Sequence, residues 1–419
     1  MMNTEGNNGN KPLGLWNVVS IGIGAMVGAG IFALLGQAAL LMEASTWVAF
    51  AFGGIVAMFS GYAYARLGAS YPSNGGIIDF FRRGLGNGVF SLALSLLYLL
   101  TLAVSIAMVA RAFGAYAVQI LLYALGIIAV MTLFNSLSNH AVGRLEVILV
   151  GIKMMILLLL IIAGVWSLQP AHISVSAPPS SGAFFSCIGI TFLAYAGFGM
   201  MANAADKVKD PEVIMPRAFL VAIGVTTLLY ISLALVLLSD VSALELEKYA
   251  DTAVAQAASP LLGHVGYVIV VIATLLATAS AINANLFAVF NIMDNMGSER
   301  ELPKLMNKPL WRQSTWGNII VVVLIMLMTA ALNLGSLASV ASATFLICYL
   351  AVFVVAIRLR HDIHASLPIL IVGTLVMLLV IVGFIYSLWS QGSRALIWII
   401  GALLLSLIVA MVMKRNKTV

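Results

Sequence analysis

Gly22-Ile23-Gly24-Ala25-Met26-Val27-Gly28-Ala29-Gly30 lies near the middle of the first long apolar run of the chain. That run extends from about residue 13 to residue 42, beyond the roughly 20 residues a helix needs to cross a bilayer. Each glycine in it costs about 1 kcal/mol of helix stability relative to alanine. Gly28-Ala29-Gly30 is small enough for the backbone to unwind and for a ligand to approach the peptide groups. At membrane depth, irregular backbone persists only where a buried partner or a water-filled cavity satisfies it. The stretch therefore predicts a helix broken in mid-membrane, with a binding site at the break. A second reading stands beside it, because Gly24 and Gly28 have the G-x-x-x-G spacing of ordinary helix packing in membranes. Gly28 and Gly30, however, point to nearly opposite sides of a helix, and one contact face does not need both.

The composition places the whole chain in a membrane. Of 419 residues, 62% are hydrophobic and 9% charged, with a mean hydropathy of +1.10; this is a polytopic membrane protein. The net charge of +6 then reflects topology and is no sign of a nucleic-acid partner. Cys187 and Cys348 lie inside apolar runs without a partner motif, so neither a disulfide nor a metal site is expected. No sequence feature calls for a cofactor.

Hydropathy divides the chain into twelve spans, at about 14–42, 46–68, 88–113, 119–136, 145–168, 183–205, 218–239, 262–293, 317–333, 336–357, 367–389 and 394–413. All eleven prolines are expected at span ends or in loops, so that a break inside a span must come from glycine. With the N-terminus inside, seventeen lysines and arginines fall on the inner side and only Arg111, Lys248 and Arg394 on the outer. The positive-inside rule then puts both termini in the cytoplasm. Proline-rich residues 169–181 separate the first five spans from the next five. The outer loop after span seven carries Asp240, Glu245, Glu247 and Asp251 at helix-like spacing, as a solvated helix or as a lid over an outer vestibule.

A second glycine cluster sits in span six, in Phe192-Leu193-Ala194-Tyr195-Ala196-Gly197-Phe198-Gly199. Two interrupted spans, each opening a five-span unit, point to an inverted-repeat transporter. Half-helix N-termini in such a fold offer free N–H groups to an anion, and free carbonyls face cations. A zwitterionic amino acid fits that pair of breaks. Lys153 is the one charged residue placed well inside a span, where a charge costs about 2.5–3.5 kcal/mol on insertion scales. It either snorkels to the inner interface or faces the cavity and carries a proton during transport. Arg144 and Glu146 read as a local ion pair at an inner span end. The spans hold neither the paired acids, histidines or nucleophile–base set of an enzyme nor the charged ring of a channel.

Together these motifs resemble the amino acid–polyamine–organocation permeases. Gly24 to Phe32 is similar to their span-one signature, and Tyr71-Pro-Ser-Asn-Gly-Gly76 to the loop after span two. Phe192 to Phe198 with Val208-Lys-Asp-Pro211 resembles span six and its exit, and Arg300-Glu-Leu-Pro303 the loop after span eight. The resemblance implies an all-α LeuT-like fold in one membrane domain: a five-plus-five inverted repeat (14–168 and 183–357) with helices one and six broken, and two additional helices at 367–413. It implies alternating access to a site made by Met26, Val27, Gly28, Ala29, Gly30, Phe192, Leu193, Ala194, Tyr195, Ala196 and Gly197. The N–H groups of Ala29 and Gly30 would hold a carboxylate; the carbonyls of Met26, Leu193 and Ala196 would hold an ammonium. Lys153 would take the place of a coupling sodium ion, which implies proton coupling or a fixed surrogate cation. Gly199 replaces a common acid after Gly-Phe, so the expected cargo is a neutral amino acid. A polyamine or other organic cation is the alternative.

Overall fold

The computed structural model describes residues 13–415, apart from 74, 118, 138–141, 167, 169–179, 241–242, 300, 304 and 312–313. The proline-rich connector, Asn74, Arg300 and the side chains of Arg144, Glu146, Asp240 and Glu245 lie outside the described residues.

The first apolar run folds as two helices, α1 (Leu15–Met26) and α2 (Ala29–Met42). They are separated at Val27 (φ −77°, ψ 66°) and Gly28 (φ −129°, ψ −140°). A short 3-10 turn at Glu43–Ser45 leads into α3 (Thr46–Ser70). The loop after it carries α4 (Ile77–Leu85), whose Ile77, Ile78, Phe80 and Phe81 are buried while Asp79, Arg82 and Arg83 form the polar face. Next come α5 (Val89–Tyr116), α6 (Ile120–Leu137) and α7 (Val142–Val165).

Span six is interrupted more gently than span one. Helix α8 (Ser181–Tyr195) tightens into a 3-10 turn at Ala196–Phe198 and resumes as α9 (Gly199–Ala202), with right-handed helical angles throughout. Expected unwinding at Gly197 is thus a local tightening, which keeps the backbone bonded. Gly197 is needed for another reason: a Cβ there would stand 2.5 Å from the carbonyl carbon and oxygen of Ala25. The missing side chain lets the end of α1 lie directly on span six.

Helix α10 (Pro211–Asp240) begins several residues before the expected start and contains Pro216. Pro216 is the sixth residue of that helix, beyond the four N–H groups that lack helical partners, so it removes one ladder bond, the one to the Glu212 carbonyl. Then follow α11 (Ala243–Tyr249) and α12 (Ala253–Ser298), the latter divided at Gly263 (φ 66°) and containing Pro260 ahead of that kink. A two-stranded hairpin, β1 (Pro309–Trp311) and β2 (Ser314–Thr315), is a small departure from the all-α expectation. The chain ends with α13 (Trp316–Ala331), α14 (Leu334–Arg358), α15 (Leu367–Ser390) and α16 (Ala395–Arg415).

Among the described residues, eight helices are long and apolar enough to cross a membrane, and four shorter apolar helices accompany them. Helices α1, α3, α8 and α10 pack as one group, with α10 running along α3. Helices α6, α12, α13, α14 and α16 pack around α5, and α15 packs on α8 and α14. The second half of the broken helix, α2, reaches across to α5 and α12, and α8 reaches α14; the cavity forms along that seam.

Candidate functional site

The break in α1–α2 leaves backbone groups exposed on both sides, and their partners define the site. The last carbonyls of α1 lack helical donors. Ile23 O accepts Val27 N at 2.7 Å, and Met26 O accepts Gly28 N at 2.8 Å. Lys153 Nζ donates to Gly24 O at 2.8 Å. Lys153 is 3% exposed, so the ammonium caps a helix C-terminus, where the macrodipole favours a cation. Its Nζ is 3.8 Å from the place a Cβ on Gly28 would occupy, and Ala281 of α12 is 3.9 Å from the same point. Helices α1, α7 and α12 therefore meet at the break.

Two buried tyrosines hold the neighbouring carbonyls. Tyr230 of α10 donates its hydroxyl to Met26 O at 2.7 Å and lies 3.1 Å from Ala194 O. Tyr349 of α14 donates to Ala196 O at 2.7 Å, and Gly199 N bonds that same oxygen. Leu193 O accepts the N–H of Ala196.

The start of α2 is different. Its N-cap is Gly28, which has no side chain to cap the free N–H groups of the first turn. Gly28 and Gly30 instead border a cavity of about 790 Å³. Met26, Lys153, Leu193, Ala194, Ala196 and Gly197 line the same cavity. Val27, Phe192 and Tyr195 do not line it and belong to the core: Phe192 packs edge-on against Tyr349, and the Tyr195 hydroxyl donates to Phe50 O at 2.8 Å. Both readings of the glycines have a place here. A Cβ on Gly28 would meet only ordinary contacts, the nearest at 3.7 Å, whereas a Cβ on Gly30 would touch the Cα of Ala194 at 3.0 Å.

Sequence reading missed the wall opposite. Tyr98, Leu102, Ser105, Met108 and Val109 of α5, Ala284 and Asn285 of α12, and Phe345 of α14 also line the cavity. The α5 set recurs every three or four residues, but such a stripe is also what plain packing produces. Among the described lining residues Lys153 is the one charged side chain, and there is no acid.

The cavity follows α1 back to Ser20, Asn17 and Leu13, but takes only Gly30 from α2. It therefore opens on the N-terminal side, where the basic residues gather. The opposite side is closed. Gly36 of α2 lies against the Ala250 carbonyl, Gln37 Nε2 donates to Asp251 Oδ1 at 2.7 Å, and Arg111 Nε donates to Leu332 O at 2.9 Å. Burial raises the Asp251 carboxyl above its ordinary range, opposed by Gln37 and Arg111. Both readings of this outer loop have a place: α11 forms with Glu247 and Lys248 exposed, and the turn after it packs on α2 through Ala250 and Asp251.

The amino acid permease family matches residues 13–413 of the chain. The chain is 96% identical, over the whole length of both, to the Escherichia coli inner membrane transport protein YbaT. It is 32% identical to an uncharacterized protein of Methanocaldococcus jannaschii, covering 97% of each chain. It is 25% identical to the serine/threonine exchanger SteT of Bacillus subtilis, covering 72% of each. This chain belongs to the amino acid permease family, and it is an inner-membrane transport protein and not an enzyme.

Proposed function

We propose that this chain is a secondary active transporter that moves a neutral amino acid by alternating access around the break between α1 and α2. In this reading its twelve spans form two inverted five-span units, 14–168 and 183–357, followed by two helices at 367–413. The cavity, open toward the basic side and closed at Gln37 and Asp251, corresponds to the cytoplasm-facing state. The observation that carries the reading is the uncapped start of α2, bordering a cavity that holds a buried ammonium and, among its described lining residues, no acid. A carboxylate placed there gains the free N–H groups of the first turn and the field of Lys153. The same absence of acid disfavours polyamines and other organic cations, whose charge would stand unpaired in an apolar cavity. The likeness to a serine/threonine exchanger supports amino-acid cargo.

Lys153 serves coupling in this proposal. Its bond to Gly24 O ties α7 to α1, and loss of its proton weakens that tie. The test is uptake by proteoliposomes of Gly30→Val, whose side chain would drive into Ala194 and fill the mouth of the N–H cradle. Uptake is expected to vanish while the protein still folds and inserts. Wild-type kinetics in that variant would remove the binding role.

A further inference from the structure

Away from the transport cavity, the outward face of α3 carries a second recess. Ile55, Met58, Phe59 and Tyr62 of α3, with Ile369 of α15, line a groove of about 220 Å³. Ile55 is 48% and Ile369 38% exposed, so the groove opens toward the surrounding lipid. Helix α15 touches α3 here, since a Cβ on Gly373 would meet the Phe59 Cβ at 3.1 Å. Helix α10 borders it too, since a Cβ on Gly224 would meet the Met58 Cε at 3.4 Å. The cytoplasmic end of this apolar groove is positively charged. Arg66 follows Tyr62 by about one helical turn, and its guanidinium carbon lies 5.6 Å from the centre of the Tyr62 ring. Its Nε is buried without a hydrogen-bond partner. Arg217 of α10 stands at the same level, because Cβ atoms on Gly61 and Gly68 of α3 would meet Phe219 and Met215. It is exposed, about two turns from Gly224 on the same face of α10. Neither arginine makes an ion pair among the described residues. The Tyr62 hydroxyl accepts Ser366 N at 2.8 Å, and Ser366 begins α15 without capping its first turn. Asp362, the acid of that loop, is instead reached by the Tyr71 hydroxyl at 3.3 Å.

We infer that this groove binds an anionic phospholipid of the cytoplasmic leaflet, its phosphate between Arg66 and Arg217 and an acyl chain along Ile55, Met58 and Phe59. A guanidinium offers forked donors that match a phosphate, and basic recesses between spanning helices on the cytoplasmic side hold acidic headgroups. An arginine near the inner end of a span reaches headgroup level while its stem stays in the apolar layer, so charge and groove meet one lipid at the right depth. A zwitterionic lipid fills the groove equally well but brings its own cation to the arginines. A small free anion meets the arginines but gains nothing from the groove. The bound lipid touches α3, α10 and α15 together, and so joins the helix group around α1 to a helix outside it. This site is separate from the transport cavity and stands whatever the cargo is.

The experiment is a thermal-shift titration of purified, delipidated full-length protein. The probes are dioleoyl phosphatidylglycerol, dioleoyl phosphatidylcholine and inorganic phosphate. Phosphatidylglycerol is expected to stabilise the protein half-maximally at a concentration at least about tenfold below that of phosphatidylcholine. Arg66→Gln should bring the two lipids within about threefold of each other. Arg394→Gln, which removes an exposed charge on the outer side, should keep the wild-type preference. Ile55→Trp fills the groove from its exposed wall and should weaken both lipids severalfold; it keeps the test decisive should Arg66→Gln fail to fold. An equal response of wild type to the two lipids overturns the proposal, as does full preference in a folded Arg66→Gln. Unchanged lipid binding in Ile55→Trp overturns the groove as the seat of the acyl chain. Inorganic phosphate that stabilises as strongly as phosphatidylglycerol assigns the arginines to a free anion, and the lipid site falls.

Discussion

A single methyl group at Gly197 tests the geometry of the site more sharply than any larger change. Built on the observed backbone, that methyl would lie 2.5 Å from the carbonyl carbon and oxygen of Ala25 and 2.8 Å from Met26 N. Ordinary contact begins at 3.4 Å, so span six and the end of α1 must part by about 0.9 Å, the difference between 3.4 and 2.5 Å. All three obstructing atoms are backbone, and the segment is held by Lys153 on Gly24 and by Tyr230 on Met26. No side chain can turn aside. Overpacking of this kind costs about 1–3 kcal/mol. If that strain falls on the bound state, affinity drops between about fivefold and about 150-fold. The assay is a thermal-shift titration of Gly197→Ala paired with proteoliposome uptake. Gly126→Ala is the control: Gly126 is helical and has nothing within 4 Å of the new methyl, so it should leave both readouts unchanged. Wild-type affinity, uptake and melting temperature in Gly197→Ala would refute the close approach of α1 to span six.

Three further expectations concern charged groups. Lys153→Ala should abolish the pH dependence of proteoliposome uptake; a variant that keeps the wild-type profile and rate rules out lysine coupling. Arg82 pairs with Glu301 at 2.7 Å in a contact where the two side chains are 15% and 8% exposed, so Arg82→Ala strands a buried carboxylate. Its unfolding free energy should fall by about 3–5 kcal/mol, read as a lowered midpoint in chemical denaturation. Burial raises the Asp251 carboxyl, so its contribution to the outer closure is full below the unfolded pKa and fades as pH rises through the raised value. Melting curves across the acidic range should show this loss in wild type and flatten in Asp251→Asn.

The span pattern was legible because hydrophobic length in a bilayer is a strong constraint. The break at Gly28 was legible too, because glycine at membrane depth needs a reason. Gly197 carried the same signal for a different cause, since sequence cannot separate a glycine that unwinds from one that admits a neighbour. Pro216 misled for a related reason, because a proline near a helix start and one just before it read alike. Tyr230 and Tyr349, which hold the carbonyls, were silent in the sequence: a tyrosine in an apolar span does not announce which distant oxygen it will reach. The face of α5 that lines the cavity was present as spacing, but nothing in it told lining from packing. Helix α4 could have been found from Ile77, Ile78, Phe80 and Phe81 alternating with Asp79 and Arg82 at helical intervals.

The extended residue ahead of α1 has a mechanical consequence. Leu13 pairs with the exit of span six, donating its N–H to Lys207 O at 2.8 Å and accepting Lys209 N at 3.0 Å. At its other end α1 rests on Gly197 and is joined through Tyr230. The rod is thus joined at both ends to the same partner, span six, as a shutter is hung on two hinges. Trimming the chain through Leu13 would remove the lower hinge, and the half-helix could then swing without carrying span six along.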